Sequence, residues 1–186
     1  MGNIEQRICP VAMAGHLDNR FRRWVQNPFR ILTPYLKEGM TALDMGCGPG
    51  YFTLAMAQLT GPSGRVIAAD LQEGMLDKLR MKIRGSTLEQ RISLHQCLPD
   101  KIGVTDPVDF ILLFYVIHEV PDKDKLFEEL AGILNPTGRI FISEPPFHVS
   151  KKAFATMLKA AATRGLGVLE RPKIRLSKTA VLGHTA

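Results

Sequence analysis

TALDMGCGPGYFTLAMA, Thr41 to Ala57, is the stretch on which the reading of the whole chain turns. A short apolar run ending in an acid, Asp44, gives way to Gly46, Gly48 and Gly50 and then to helix-like spacing, the order of a buried strand, a tight turn and a helix start. Glycine takes positive φ and lacks the Cβ that would keep a ligand from the backbone. The helix opening after the turn offers unpaired N–H groups. A strand end, three glycines and an acid converging on one crevice suit a nucleotide-like cofactor.

Spacing separates the loops that build such a crevice. A phosphate-cradling loop ends in Gly-Lys-Ser/Thr, whereas Gly50 is followed by Tyr51 and Phe52. The dinucleotide fingerprint G-x-G-x-x-G needs its third glycine where Tyr51 stands, which weakens a nicotinamide oxidoreductase reading. What remains is D-x-G-x-G-x-G, Asp44 to Gly50, and this string resembles motif I of the class I S-adenosylmethionine-dependent methyltransferases. The competing explanation is a glycine-rich turn in some other α/β protein.

Length and composition agree with one soluble domain. The chain has 186 residues, 45% hydrophobic and 23% charged, enough for a single good core and short for two. No apolar run approaches a membrane span, and Glu5, Gln6 and Arg7 interrupt any secretory-type core, so a cytoplasmic location and no membrane partner are expected. Cys9, Cys47 and Cys97 are odd in number and far apart, against a disulfide framework or a C-x-x-C metal site. Inside the glycine loop, Cys47 reads as a small packing residue before it reads as a nucleophile. The net charge of +6 is uneven: residues 1–36 carry five Arg against Glu5 and Asp18, and residues 151–186 carry eight Lys or Arg against Glu170. Basic ends attract anions, although a solvated basic surface is the commoner meaning of such a pattern.

Along the chain, a helix is expected from about Asp18 to Gln26, with Phe21, Trp24 and Val25 on one apolar stripe and Arg20, Arg22 and Arg23 off it. A second is expected over Phe29 to Lys37, interrupted by Pro34. After the glycine loop the pattern gives a helix over Phe52 to Gln58, a strand RVIAAD from Arg65 to Asp70, a helix over Leu76 to Arg84 and a strand ISLHQ from Ile92 to Gln96. Val108 to Phe114, VDFILLF, is the most apolar run and reads as a central strand covered on both faces. An amphipathic helix over Lys123 to Leu134 follows, then a turn at Asn135 to Gly138, a strand RIFISEPP, a helix over Lys152 to Arg164 and two short strands within VLERPKIRLSKTAVLG.

Two places outside the glycine loop carry chemistry. Asp70 ends the second strand twenty residues after Gly50, where a nucleotide-binding unit sets a carboxylate on ribose hydroxyls; it also suits a helix cap, and the two roles are compatible. Phe114, Tyr115, His118 and Glu119 lie at or just past the carboxyl end of the central strand, where open parallel sheets bind ligands. His118-Glu119 is not a zinc motif, because the second histidine of H-E-x-x-H is replaced by Asp122. It reads either as a base for proton removal or as a loop pair capping the next helix.

The resemblance spans roughly Gly39 to Gly183 and carries its own expectations. It implies a three-layer α/β Rossmann-like fold with a seven-stranded, mostly parallel sheet in the order 3-2-1-4-5-7-6, strand 7 antiparallel. It implies one domain over residues 1–186, with 1–38 a helical lid or substrate segment and 39–186 the cofactor-binding core. S-adenosylmethionine, leaving as S-adenosylhomocysteine, is then expected against Asp44, Gly46, Cys47, Gly48 and Gly50. Asp70, Leu71 and Met75 are expected on its nucleoside, with Cys97, Leu98 and Phe114 completing the cofactor wall. The sequence departs from many relatives after the third strand, where Gln96, Cys97 and Leu98 replace an acid for the adenine amino group and Asp100 is the nearest carboxylate. Tyr115 and His118 are the expected acceptor-side residues, with no metal. A small-molecule acceptor is favoured. An RNA or protein methyltransferase using the basic ends is the runner-up, and a non-catalytic S-adenosylmethionine-binding module is the rival from another class. The NPPY-type signature of amino-group methylation in nucleic acid is absent, the sequence there being FYVI.

Overall fold

The structure, a computed structural model, describes residues 26–185. Seven strands form one sheet: β1 (Thr41–Met45), β2 (Arg65–Asp70), β3 (Ile92–Gln96), β4 (Val108–Phe114), β5 (Leu134–Glu144), β6 (Leu166–Glu170) and β7 (Lys178–His184). Their order is β3-β2-β1-β4-β5-β7-β6, with β7 antiparallel to both neighbours, as the resemblance implies. The described helices are α1 (Pro28–Leu32), α2 (Thr53–Leu59), α3 (Glu73–Ile83), α4 (Lys123–Ile133) and α5 (Lys151–Ala162). The expected helix over Asp18 to Gln26 lies outside the described residues except for Gln26 itself.

Alternation along the central strands sorts the core into two layers. Leu43, Ile67, Ile111 and Leu113 face α4 and α5, where they meet Leu126, Phe127, Leu130, Phe154, Met157 and Leu158. Ala42, Val66, Phe110 and Leu112 face the other way, onto Ile31, Leu32, Phe52, Met56, Leu76, Leu79 and Ile83 from α1, α2 and α3. Period-2 side chains on strands that are covered on both sides need apolar residues at every position, which is why β4 reads as one unbroken apolar run.

Several boundaries differ from the sequence expectation, each for a local reason. The helix expected from Phe29 to Lys37 stops at Leu32, because Pro34 has no N–H to donate to the preceding turn. The turn Asn135 to Gly138 lies inside β5 rather than before it: Val108 pairs with Leu134 and Phe110 with Arg139, so the four turn residues bulge out between two paired ones. The helix placed over Leu76 to Arg84 starts earlier, at Glu73, on a Gln72 N-cap in extended conformation. Asp122 caps α4 through the bond that Lys125 N–H donates to its Oδ1 (2.9 Å), which leaves no capping task for His118 or Glu119. No helix among the described residues is long and apolar enough to cross a membrane.

Candidate active site

The carboxyl ends of β1, β2 and β4 open into a cavity of about 420 Å³. That size falls within the range of small-ligand sites, and its position is the switch point where chain connections leave the sheet in opposite directions. Its floor is the glycine loop. Gly46, Gly48 and Gly50 all have positive φ, as the string of glycines led one to expect. Their reasons differ. A Cβ on Gly46 would stand 2.5 Å from Val116 Cγ2, and one on Gly50 would overlap Leu79 Cδ1 from α3, so both glycines serve close packing. A Cβ on Gly48 would meet nothing within 4 Å; it would stand in open space at the cavity floor, where a ligand can approach the backbone.

Acids at the strand ends tie this loop down. Asp44 Oδ2 accepts from Thr53 Oγ1 (2.6 Å) in the buried first turn of α2. Asp70 Oδ2 accepts from Gly48 N–H (2.8 Å) and its Oδ1 from Gln72 N–H (2.9 Å), so the carboxylate clasps the loop and the start of α3 together. Its two oxygens offer about four lone-pair sites, more than the backbone N–H groups of Gly48, Gln72 and Leu71 occupy, so a ligand hydroxyl can still be accepted. Burial pushes the Asp70 carboxyl up, against the backbone N–H bonds that pull it down. Lys82 adds a bond from its Nζ to Pro49 O (2.8 Å), pinning the loop from α3.

Of the residues expected around the cofactor, Gly50 does not reach the cavity and the others border it: Asp44, Gly46, Cys47 and Gly48 at the loop, Leu71 and Met75 beyond Asp70, Cys97 and Leu98 after β3, and Phe114 at the end of β4. The thiols are inert. Desolvation, reinforced by Asp44 and Asp70, raises Cys47 well above the ordinary thiol range, and burial pushes Cys97 up to about 12. Both therefore stay protonated and serve as packing. Asp100, the nearest acid after β3, lines the cavity but is exposed and paired with Lys125 (3.0 Å), which holds its carboxyl below the usual range.

On the far side, aromatic rings close the cavity. Phe52 and Phe114 lie 4.3 Å apart between centroids, and Phe114 and Tyr115 4.6 Å. Tyr115 has φ 62, a conformation that costs a non-glycine residue about 1–3 kcal/mol and is retained where its surroundings over-determine it. Its hydroxyl donates to Leu176 O (2.7 Å), lies 2.8 Å from Ser177 Oγ and accepts from Gln26 Nε2. Tyr51 donates to Gln26 O (3.1 Å), so Gln26 joins two cavity-lining tyrosines.

His118 stands behind this wall rather than in it. It lies in a single 3₁₀ turn, Ile117–Glu119, whose last residue does line the cavity. Two residues of the site went unread in the sequence. Glu129 on α4 lines the cavity and accepts from Ile102 N–H (2.9 Å) and Gly103 N–H (3.1 Å), ordering the loop before β4; nothing marks it among the charges of an amphipathic helix. Glu144, at the end of β5, bonds His118 Nδ1 at 2.6 Å. An acid closing an otherwise apolar strand was its available signal, the same one that marks Asp70.

Tyr115→Phe should leave S-adenosylmethionine affinity unchanged while altering the apparent affinity for an acceptor, because the lost hydroxyl bonds Gln26, Leu176 and Ser177 and not the glycine loop. Calorimetry on the folded variant checks the first half; a marked loss of cofactor affinity would move Tyr115 to the cofactor side.

Comparison with known proteins points one way. A profile described as a methyltransferase domain matches residues 36–173. The demethylmenaquinone methyltransferase of Lactobacillus johnsonii is 38% identical over 110 residues, 59% of this chain and 45% of that protein. The ubiquinone/menaquinone biosynthesis C-methyltransferase UbiE of Pasteurella multocida is 31% identical over 110 residues, 59% of this chain and 41% of that protein. The chain thus spans under half the length of these two curated relatives. A crystal structure of an S-adenosylmethionine-dependent methyltransferase from Aquifex aeolicus superposes with a TM-score of 0.83 at 26% identity, over 94% of this chain and 98% of that one.

Proposed function

We propose a function from one premise: this chain belongs to the methyltransferase domain family, its matched segment covering residues 36–173. The reaction proposed is methyl transfer from S-adenosylmethionine to a small-molecule acceptor with an apolar body. The observation that carries it is the single cavity that runs from the glycine loop and Asp70, past Phe52 and Phe114, to Tyr115 and Glu119. A nucleoside end and an acceptor end share that space.

The residues present fit the cofactor. Gly48 leaves open room at the loop, Asp70 keeps accepting capacity for a ligand hydroxyl, and Leu71 and Met75 offer apolar surface beside them. When bound, the cofactor supplies an electrophilic methyl group on a positively charged sulfur. The chain's own task is to hold donor and acceptor in line and keep water out. Phe52, Phe114 and Tyr115 exclude water at the middle of the cavity, and the Tyr115 hydroxyl is tied to Gln26, to Leu176 O and to Ser177 Oγ. The bonds from Gln26 to the two cavity-lining tyrosines support a covering role for the N-terminal segment, of which Gln26 is the described end.

A small acceptor is favoured over a macromolecule because the methyl-receiving end is walled by rings, with the neighbouring Tyr51 and Tyr115 joined through Gln26. The two curated relatives are named for quinone substrates, which supports a ring-shaped, largely apolar acceptor here. Asp70→Ala should weaken S-adenosylmethionine binding by about 1–3 kcal/mol, the loss expected for a charged hydrogen bond together with two orphaned loop N–H groups. Undiminished affinity in the folded variant would remove Asp70 from the cofactor site. The proposal as a whole is tested with methyl-labelled S-adenosylmethionine against hydroxylated aromatics and quinols on one side and total RNA or protein on the other. Label in a small molecule is the expected result. Label in RNA would favour the basic ends as the substrate surface, and binding without transfer to any class would make the chain a sensor.

A further inference from the structure

The acceptor wall of the cavity has an acid–base chain behind it. Glu144 is fully buried at the end of β5, a place where an unpaired carboxylate would be very costly. It is satisfied by two donors from one turn: Ile117 N–H to Oε1 (2.9 Å) and His118 Nδ1 to Oε2 (2.6 Å). An ionised carboxylate only accepts, so the Nδ1 position carries the proton and Nε2 is left as the basic nitrogen. That Nε2 lies 4.0 Å from Glu119 Oε1, and Glu119 lines the cavity. The exposed ring of His148 lies 5.7 Å from the His118 ring, which is itself partly open to solvent.

We propose that Glu119, His118 and Glu144 form a proton-withdrawing chain for this cavity, and that the methyl acceptor is therefore a molecule whose reacting oxygen or carbon must give up a proton, such as a phenol, enol or quinol. This rests on the methyl-transfer reading above and narrows its substrate class. The acceptor's O–H or C–H bond breaks, and its electron pair forms the bond to the methyl carbon. The electron pair of the cleaved S–C bond stays with sulfur. The proton passes by way of Glu119 to His118 Nε2 and leaves to solvent from the partly exposed His118 ring. Glu144 is a positioning residue: it fixes the tautomer and ring orientation of His118 and balances the charge that His118 gains, as a buried carboxylate does for the histidine of a hydrolase triad.

The groups that face His118 come from three elements, and their balance favours a proton store. The bond to Glu144 raises its pKa most; burial opposes, and the charges of Glu144 and Glu119 raise it while Lys123 on α4 lowers it. His148 faces it from the turn after β5.

The experiment follows the imidazole nitrogens of His118 by NMR across pH in the cofactor-free protein, with His118→Gln identifying the signal, and repeats it in Glu144→Gln and Glu119→Gln. The wild type is expected to hold the Nδ1–H tautomer and to titrate above the ordinary value of 6.5. Glu144→Gln should lower that midpoint and mix the tautomers, since an amide can donate where the carboxylate could only accept. Glu119→Gln, on the cavity wall and away from the core, should lower the midpoint as well, and it carries the test should the buried substitution prevent folding. A His118 midpoint unmoved in both folded variants overturns the chain. With a phenol or quinol acceptor in hand, Glu119→Gln should lower kcat by roughly 10²–10⁴-fold at unchanged KM for S-adenosylmethionine. Unchanged kcat overturns the chain too. Loss of S-adenosylmethionine binding by the wild type would instead sink the methyl-transfer reading, a separate outcome from any result on His118.

Discussion

His118→Gln is expected to lower turnover by roughly 10²–10⁴-fold while sparing S-adenosylmethionine affinity, the range by which a positioned base assists proton removal. Affinity is spared because the partners of His118 are Glu144, Glu119 and His148, away from the glycine loop and Asp70. The sign of the pH effect follows from the raised pKa. A base works unprotonated, so wild-type activity should fall as pH drops through that value, and the variant should lose this acid limb. Stability moves the opposite way. A histidine whose folded pKa is raised contributes stability fully below its unfolded value, near 6.5, and loses it as pH rises through the folded value. The melting temperature of the wild type should therefore exceed that of the variant most at acid pH, and the gap should narrow on going alkaline. A pH–rate profile for the chemical step that keeps its acid limb in His118→Gln would retire the base and leave Tyr115 as the acceptor-side residue of interest.

Gly50→Val is expected to cost about 2–6 kcal/mol of folding free energy and to abolish cofactor binding in whatever fraction still folds. Two causes add. At φ 87 a β-branched residue is a steric outlier, at about 1–3 kcal/mol. Its Cβ would also overlap Leu79, which is fully buried on α3 and has nowhere to move without disturbing Ile83 and Leu76, at a further ~1–3 kcal/mol for overpacking. Gly48→Ala is the control: it has positive φ but open space, so its stability loss should be smaller while cofactor affinity still falls. Denaturant midpoints for the two variants check the order. If Gly48→Ala proved the more destabilising of the two, the packing role assigned to Gly50 would be wrong.

The fold was legible because its signals are local. Strand, glycine turn and helix follow one another in Thr41 to Leu59, and the unbroken apolar run of Val108 to Phe114 marks a strand with helices on both faces. Strand order and the antiparallel seventh strand came with the family resemblance rather than from periodicity. Where boundaries slipped, a residue of dual meaning was responsible. Pro34 ended a helix it was expected only to interrupt, and Asn135 to Gly138 proved to be an excursion within a strand instead of a turn before one.

What the sequence determined alone was every feature carried by backbone chemistry along the chain: the glycines with positive φ, the acid twenty residues beyond them, and the alternation that sends one layer of side chains to each face of the sheet. What only the tertiary structure decided was which distant side chains complete the site. Glu144 meets His118 across 26 positions of sequence, Tyr115 meets Ser177 across 62, and Gln26 meets Tyr115 across 89. The physical reason is that the first two bonds depend on the register of β4 against β5 and of β5 against β7, and the third on how the chain before α1 packs on the finished sheet, all of which is set by tertiary packing. No local pattern records it. Asp70 and Glu144 end apolar strands in the same way, yet one lies beside the glycine loop that announces its role and the other beside a turn whose partner is known only once the sheet is assembled.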